Sequence, residues 1–134
     1  MSNPNFNKIA LVTGGAIRIG RAISIALAEA GYDLVVAHHS SVDQAVEVQK
    51  IISSLGRRCE LVQADLREPN APDIVVESVR QVFGRLDLLV NSAASFESSS
   101  LLELGVDEWD SVMALNCRAP HLLVRAAADL LRES

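Results

Sequence analysis

Residues 13–20 read Thr-Gly-Gly-Ala-Ile-Arg-Ile-Gly, a turn with the makings of an anion site. Ahead of it, Ile9-Ala10-Leu11-Val12 is apolar and of strand length. Behind it, apolar residues recur at Ile19, Ile23, Ala26, Leu27 and Ala30, which predicts one face of a helix of period 3.6. A buried strand, a glycine turn and a helix start together offer unpaired backbone N–H groups and a partial positive charge. Glycine lets that backbone come close to a phosphate. The spacing is Thr13-Gly14-x-x-x-Arg18-x-Gly20 and not the common G-x-G-x-x-G fingerprint. Arg18 would add paired charged donors beside a phosphate. A solvated arginine at a helix start is the plain alternative.

A second group of polar residues closes the next predicted strand, as His38-His39-Ser40-Ser41. An acid at this place would bond the ribose hydroxyls of NAD. None is present, and hydroxyls, imidazoles and a nearby Arg18 tolerate a 2′-phosphate better than a carboxylate does, so the cofactor reading is NADP(H). Neighbouring strand residues point to opposite faces, so the two histidines are not expected to share a metal. His121 is remote and no acids converge on it, and no metal site is expected. Three further places carry chemistry-bearing residues: Asp65-Leu66, Asn91-Ser92-Ala93 with Ser95-Phe96 beyond it, and Asn116, unfavourable in mid-helix on propensity alone.

The elements that must position these residues follow in order. Gly31 stands where a helix C-terminal glycine belongs. Asp33–His38 reads as a second strand, and Ser40 or Ser41 can cap a helix from about Val42 to Leu55 with contacts at Val42, Ala45, Val46, Val48, Ile52 and Leu55. Cys59–Ala64 is a third strand, 65–72 a loop, and Asp73–Phe83 a helix with Val75, Val79, Val82 and Phe83 on one side. Leu86–Val90 is a fourth strand, 91–100 a loop of small residues, and 107–132 a helix bent near Pro120. Strands alternating with helices predict an α/β, Rossmann-like doubly wound parallel sheet of strand order 3-2-1-4. Strands 5 and 6 of the dinucleotide-binding order have no counterpart. The fourth strand would be left with an apolar edge, and the chain reads as cut short after the following helix.

The chain has 134 residues and 49% hydrophobic content, which predicts a single domain, with 1–7 a flexible tail. A net charge of −5 argues against nucleic-acid and anionic-membrane partners. There is neither an apolar run of membrane-spanning length nor a secretory leader, so the location expected is cytoplasmic. Cys59 and Cys117 form no C-x-x-C and read as two buried thiols.

The turn resembles the T-G-x-x-x-G-x-G turn of the short-chain dehydrogenase/reductase family, with Arg18 in place of the middle glycine, a variant similar to the pteridine reductases. The resemblance runs from Lys8 to Arg132. It implies that Gly14, Arg18, Ile19 and Gly20 hold a pyrophosphate, that Asp65 contacts the adenine amino group, and that Leu66 supplies backbone. Asn91-Ser92-Ala93-Ala94 is similar to the family's N-N-A-G segment, with Ser92 and Ala94 departing from it; small side chains there leave room for ribose and nicotinamide. Ser95-Phe96 resembles the pteridine-reductase continuation, in which the phenylalanine stacks on a pterin. Asn116 resembles the helix asparagine that holds a backbone bend and a proton-relay water. Pteridine reductases carry an arginine where Ser40 stands, a departure that bears on phosphate binding. Without the resemblance, Asp65 is a turn cap, Phe96 a loop residue closing the core, and Asn116 a surface side chain.

Family catalysis pairs a tyrosine with a lysine four residues on. The single tyrosine here is Tyr32, four residues before Val36, and the only lysines are Lys8 and Lys50. The expectation is therefore the cofactor-binding half of an NADP(H)-dependent reductase acting on a small-molecule substrate, a pterin, dihydrofolate-like C=N or a carbonyl. A homo-oligomer is expected because the fourth-strand edge and last helix need cover. The alternative is a naturally short nucleotide-binding or oligomerisation module without catalysis. A flavodoxin- or receiver-like domain fits less well, because no acidic cluster follows the first strand.

Overall fold

A computed structural model describes residues 7–96 and 100–134. Residues 1–6 of the expected tail lie outside them. Asn7 is tied in, donating from Nδ2 to Asp33 Oδ2 at 3.1 Å. Strands β1 (Ile9–Thr13), β2 (Asp33–His38), β3 (Cys59–Gln63) and β4 (Leu88–Asn91) form one parallel sheet of order β3-β2-β1-β4. Helices α1 (Arg18–Glu29), α2 (Val42–Ser54) and α3 (Ala71–Val82) connect the strands in turn. After β4 come α4 (Val106–Met113), a π-helical turn (Ala114–Arg118) and α5 (Ala119–Glu133).

Alternation along the strands sorts the core into two layers. Ile9, Leu11, Val35 and Ala37 face α3 and α5, meeting Val75, Val79, Leu123 and Ala127. Ala10, Val12, Leu34 and Val36 face α1 and α2, meeting Ala28, Ala45, Val48 and Ile52. β1 is buried on both faces, which is why Ile9–Val12 is continuously apolar. Two carboxylates, the buried Asp33 and the part-buried Asp87, brace the N-terminal sheet edge. Asp87 Oδ2 accepts from Ile9 N at 2.8 Å and Asp33 Oδ1 from Arg58 N at 2.9 Å.

Several boundaries and faces differ from the sequence expectation. α1 turns small residues to the sheet: Gly20, Ser24 and Ala28 are buried, while Ile19 is 73% exposed. Ile23 and Leu27 pack against the core from the flank. A helix resting on a backbone turn needs small residues at the closest approach, and apolar periodicity weights large ones. On α2 only Ala45, Val48 and Ile52 are buried, leaving Val42, Val46 and Leu55 exposed, and Ser41 makes no capping bond. α3 begins at Ala71, with Pro72 in its first turn where a missing N–H costs nothing. Pro120 likewise opens α5. The bend expected there is the π-helical turn just before it, containing Asn116. Cys59 is buried, its thiol pushed up to about 12 mainly by that burial. Cys117 is exposed, because the π-helical turn presents it outward, against the expectation of two buried thiols. No helix among the described residues is long and apolar enough to cross a membrane.

Candidate functional site

The C-terminal ends of all four strands open into one cleft of about 380 Å³. The backbone of the first turn forms its floor. Gly14 has φ +60°, and a Cβ there would come 2.9 Å from Ala93 Cα. At Gly20 a Cβ would sit 2.0 Å from Gly14 O, so only glycine lets α1 start against the turn. Ser24 Oγ shares its proton between Gly20 O (2.9 Å) and Gly15 O (3.1 Å) and holds helix and turn together. α1 has no side-chain cap and no acid in its first turn. Its first N–H groups therefore keep their capacity for an anion. Arg18 has φ +50°, a left-handed conformation that disfavours any residue with a Cβ. The turn geometry that glycine would adopt freely is thus kept, with strain, by a residue bearing a cation.

Gly14, Arg18, Ile19 and Gly20 line the cleft, as do His38, His39, Ser40 and Ser41 at the end of β2. Nδ1 of His38 is buried without a partner, and burial with the neighbouring His39 lowers the imidazole's pKa, favouring the neutral ring. Asp65 and Leu66 form the wall beyond β3, and Ser92 and Ala93 the wall beyond β4. Asn91, Ser95, Phe96 and Asn116 do not line it. Asn91 ends β4 with its side chain exposed, and Phe96 is 91% exposed, which rules out its closing the core. Asn116 is bound to Ser95, accepting from Ser95 N at 2.9 Å and donating to Ser95 O at 2.7 Å. That reciprocal pair fixes the loop after β4 to the π-helical turn. It occupies the asparagine side chain with backbone, while the residue itself stays exposed at the surface.

Two residues of the site were not singled out from the sequence. Thr13 Oγ1 accepts from both Ser92 N and Ala93 N at 3.1 Å, latching the end of β4 to the end of β1. Arg67 lines the cleft and bonds Asp65 Oδ1 through Nε at 3.0 Å and through its own N–H at 3.1 Å. This side-chain bond is the leading reason that the Asp65 carboxyl lies below its usual range. No metal-holding cluster of His, Cys, Asp and Glu occurs among the described residues.

A phosphate-ready turn at β1, with polar residues at β2 and β3 and small ones at β4, defines a dinucleotide-binding α/β domain of the doubly wound class. The family model described as short chain dehydrogenase matches residues 8–134, and the chain belongs to that family. It is 36% identical over 125 residues to the short-chain dehydrogenase/reductase FrzI of Cladobotryum sp, covering 93% of this chain and 48% of that protein. It is 35% identical over 128 residues to the 3-oxoacyl-(acyl-carrier-protein) reductase FabG of Staphylococcus epidermidis, covering 95% and 52%. The fold superposes on a short chain dehydrogenase from Burkholderia cenocepacia in complex with NADP, with TM-score 0.90 and 41% identity, over 92% of this chain and 51% of that one. The chain thus spans about half the length of the relatives it matches.

Proposed function

We propose that these residues are the NADP(H)-binding half of a short-chain reductase. The observation that carries this is the absence of any carboxylate at the end of β2, where His39, Ser40 and Ser41 share a cleft with Arg18. A 2′-phosphate meets hydroxyls, imidazole and a guanidinium there, and Asp65, 4.0 Å from His39 in the same cleft, has its carboxylate paired with Arg67. The pyrophosphate fits the Gly14–Gly20 turn, where a Cβ at either glycine would fill the approach. Adenine lies against Asp65 and Leu66, and the nicotinamide ribose crosses the small residues Ser92 and Ala93.

When bound, the nicotinamide would supply a hydride for a C=O or C=N bond. This chain's own part is to bind and orient the dinucleotide. The Asn116–Ser95 pair holds the loop that carries Phe96, whose open ring face offers stacking to a flat heterocycle, and a pterin-like substrate fits that surface better than an aliphatic one. The proton-handling tyrosine and lysine are not among the 134 residues, so the proposal for this chain is binding. Exposed Leu101, Leu102, Trp109 and Met113, on and before α4, are the surface we assign to self-association.

Calorimetric titration of the 134-residue chain with NADPH and with NADH tests the cofactor reading. NADPH is expected to bind about tenfold or more tightly than NADH, the equivalent of one charge-assisted contact to the 2′-phosphate. Equal affinity, or tighter NADH, would overturn it.

A further inference from the structure

Arg67 ties three parts of the chain together through its side chain and backbone. Its N–H and Nε both bond Asp65 Oδ1, at 3.1 and 3.0 Å. Its Nη1 donates to Ser111 Oγ of α4 at 3.3 Å, and its carbonyl oxygen accepts from Arg118 Nη2 of the π-helical turn at 2.6 Å. The turn after β3 is thereby fastened to both α4 and the π-helical turn. With Oδ1 taken twice, Oδ2 is the oxygen left for a ligand. His39 Nε2 lies 4.0 Å from it, beyond hydrogen-bond reach, and both residues line the cleft.

We propose that Arg67 is the positioning residue for base recognition: it pins Asp65 by one oxygen and leaves the other to select a purine 6-amino group over a 6-oxo group. The inference rests on the cofactor reading above. An ionised carboxylate only accepts hydrogen bonds. It therefore complements the amino group of adenine and repels the carbonyl oxygen of hypoxanthine. A free aspartate could rotate away from the carbonyl; one held at Oδ1 by two donors cannot. Selectivity of this kind needs both the charge, which Asp65 carries, and its fixed direction, which Arg67 supplies. Arg67 and His39 are the ionisable groups beside the Asp65 carboxylate, and among the described residues Arg67 alone is bonded to it.

The test compares NADPH with its analogue carrying hypoxanthine in place of adenine, titrated into wild type, Arg67→Met and Arg67→Lys. Wild type is expected to prefer NADPH by about tenfold, the size of one hydrogen bond to a charged acceptor. In Arg67→Met the preference should fall to about twofold or less. Arg67→Lys keeps the charge without the fork and should retain an intermediate preference. A residue that merely braces the fold would weaken both ligands alike, and that result, or an undiminished preference in Arg67→Met, would overturn the inference. Should Arg67→Met not fold, an undiminished preference in Arg67→Lys would overturn it equally. Failure of wild type to bind NADPH at all would instead remove the cofactor reading, and this inference with it.

Discussion

Replacing Thr13 by valine removes one oxygen and nothing else of consequence in volume. That oxygen is 1% exposed as part of its residue and accepts from Ser92 N and Ala93 N, both at 3.1 Å. Without it two backbone donors lose their partner. An unpaired buried donor costs about 1–3 kcal/mol. Ser92 and Ala93 are half-buried, so water recovers part of the loss, and the lower bound for each is appropriate. The sum is about 2 kcal/mol. Unfolding entropy of about 2.1 cal/mol/K per residue over 134 residues gives about 0.3 kcal/mol per kelvin, so Tm should fall by about 7 °C. Thr13→Ser keeps the oxygen and loses a methyl group, and should lie much closer to wild type. Thermal unfolding followed by far-UV circular dichroism measures all three. A Thr13→Val protein within about 1 °C of wild type, or a Thr13→Ser protein that falls as far, would refute the latch.

Other expectations can be checked alongside it. Gly20→Ala would put a Cβ 2.0 Å from Gly14 O and should abolish NADPH binding, whereas Gly105→Ala, with nothing within 4 Å of the new Cβ, should leave it unchanged in the same titration. Ser40→Arg adds a cation at the wall opposite Arg18 and should tighten NADPH about tenfold without tightening NADH. The Asp65 carboxyl lies below its usual range when folded, so its bond to Arg67 contributes stability above the unfolded carboxylate pKa, and that contribution is lost as pH falls through the folded value. The Tm gap between wild type and Arg67→Met should therefore be full near neutrality and close below about pH 4; a gap constant with pH would contradict the assignment. Asn116→Leu should leave the fold standing but free the loop after β4, seen as faster amide exchange at Ser95.

The strands were legible as short runs, most of them apolar, separated by amphipathic helices, with β3 (Cys59–Gln63) the most polar of the four. The floor of the cleft was legible as well: Gly14 and Gly20 mark a backbone approach that no other residue permits. The faces of α1 and α2 were less so. Apolar spacing singles out Ile19, Val42 and Val46, which are exposed, whereas contact with a backbone turn selects Gly20 and Ser24; on α2 the expected Ala45, Val48 and Ile52 are the ones buried. Thr13 and Arg67 escaped notice because each acts through partners distant in sequence, Thr13 through residues 92 and 93 and Arg67 through Ser111 and Arg118. A threonine closing β1 and an arginine two residues after Asp65 are ordinary locally, and only the crossing of the chain gives them their roles. Asn116 was legible through its poor fit to a helix, and the π-helical turn is where that misfit is accommodated.

The central claim, that the strand ends form one dinucleotide cleft, is tested most directly by titrating the isotope-labelled 134-residue chain with NADPH and following its backbone amide resonances. The account predicts saturable shifts concentrated at residues 14–20, 38–41, 65–67 and 92–94, with α3 and the outer face of α5 silent. Shifts centred on those two helices, or none at all, would contradict it.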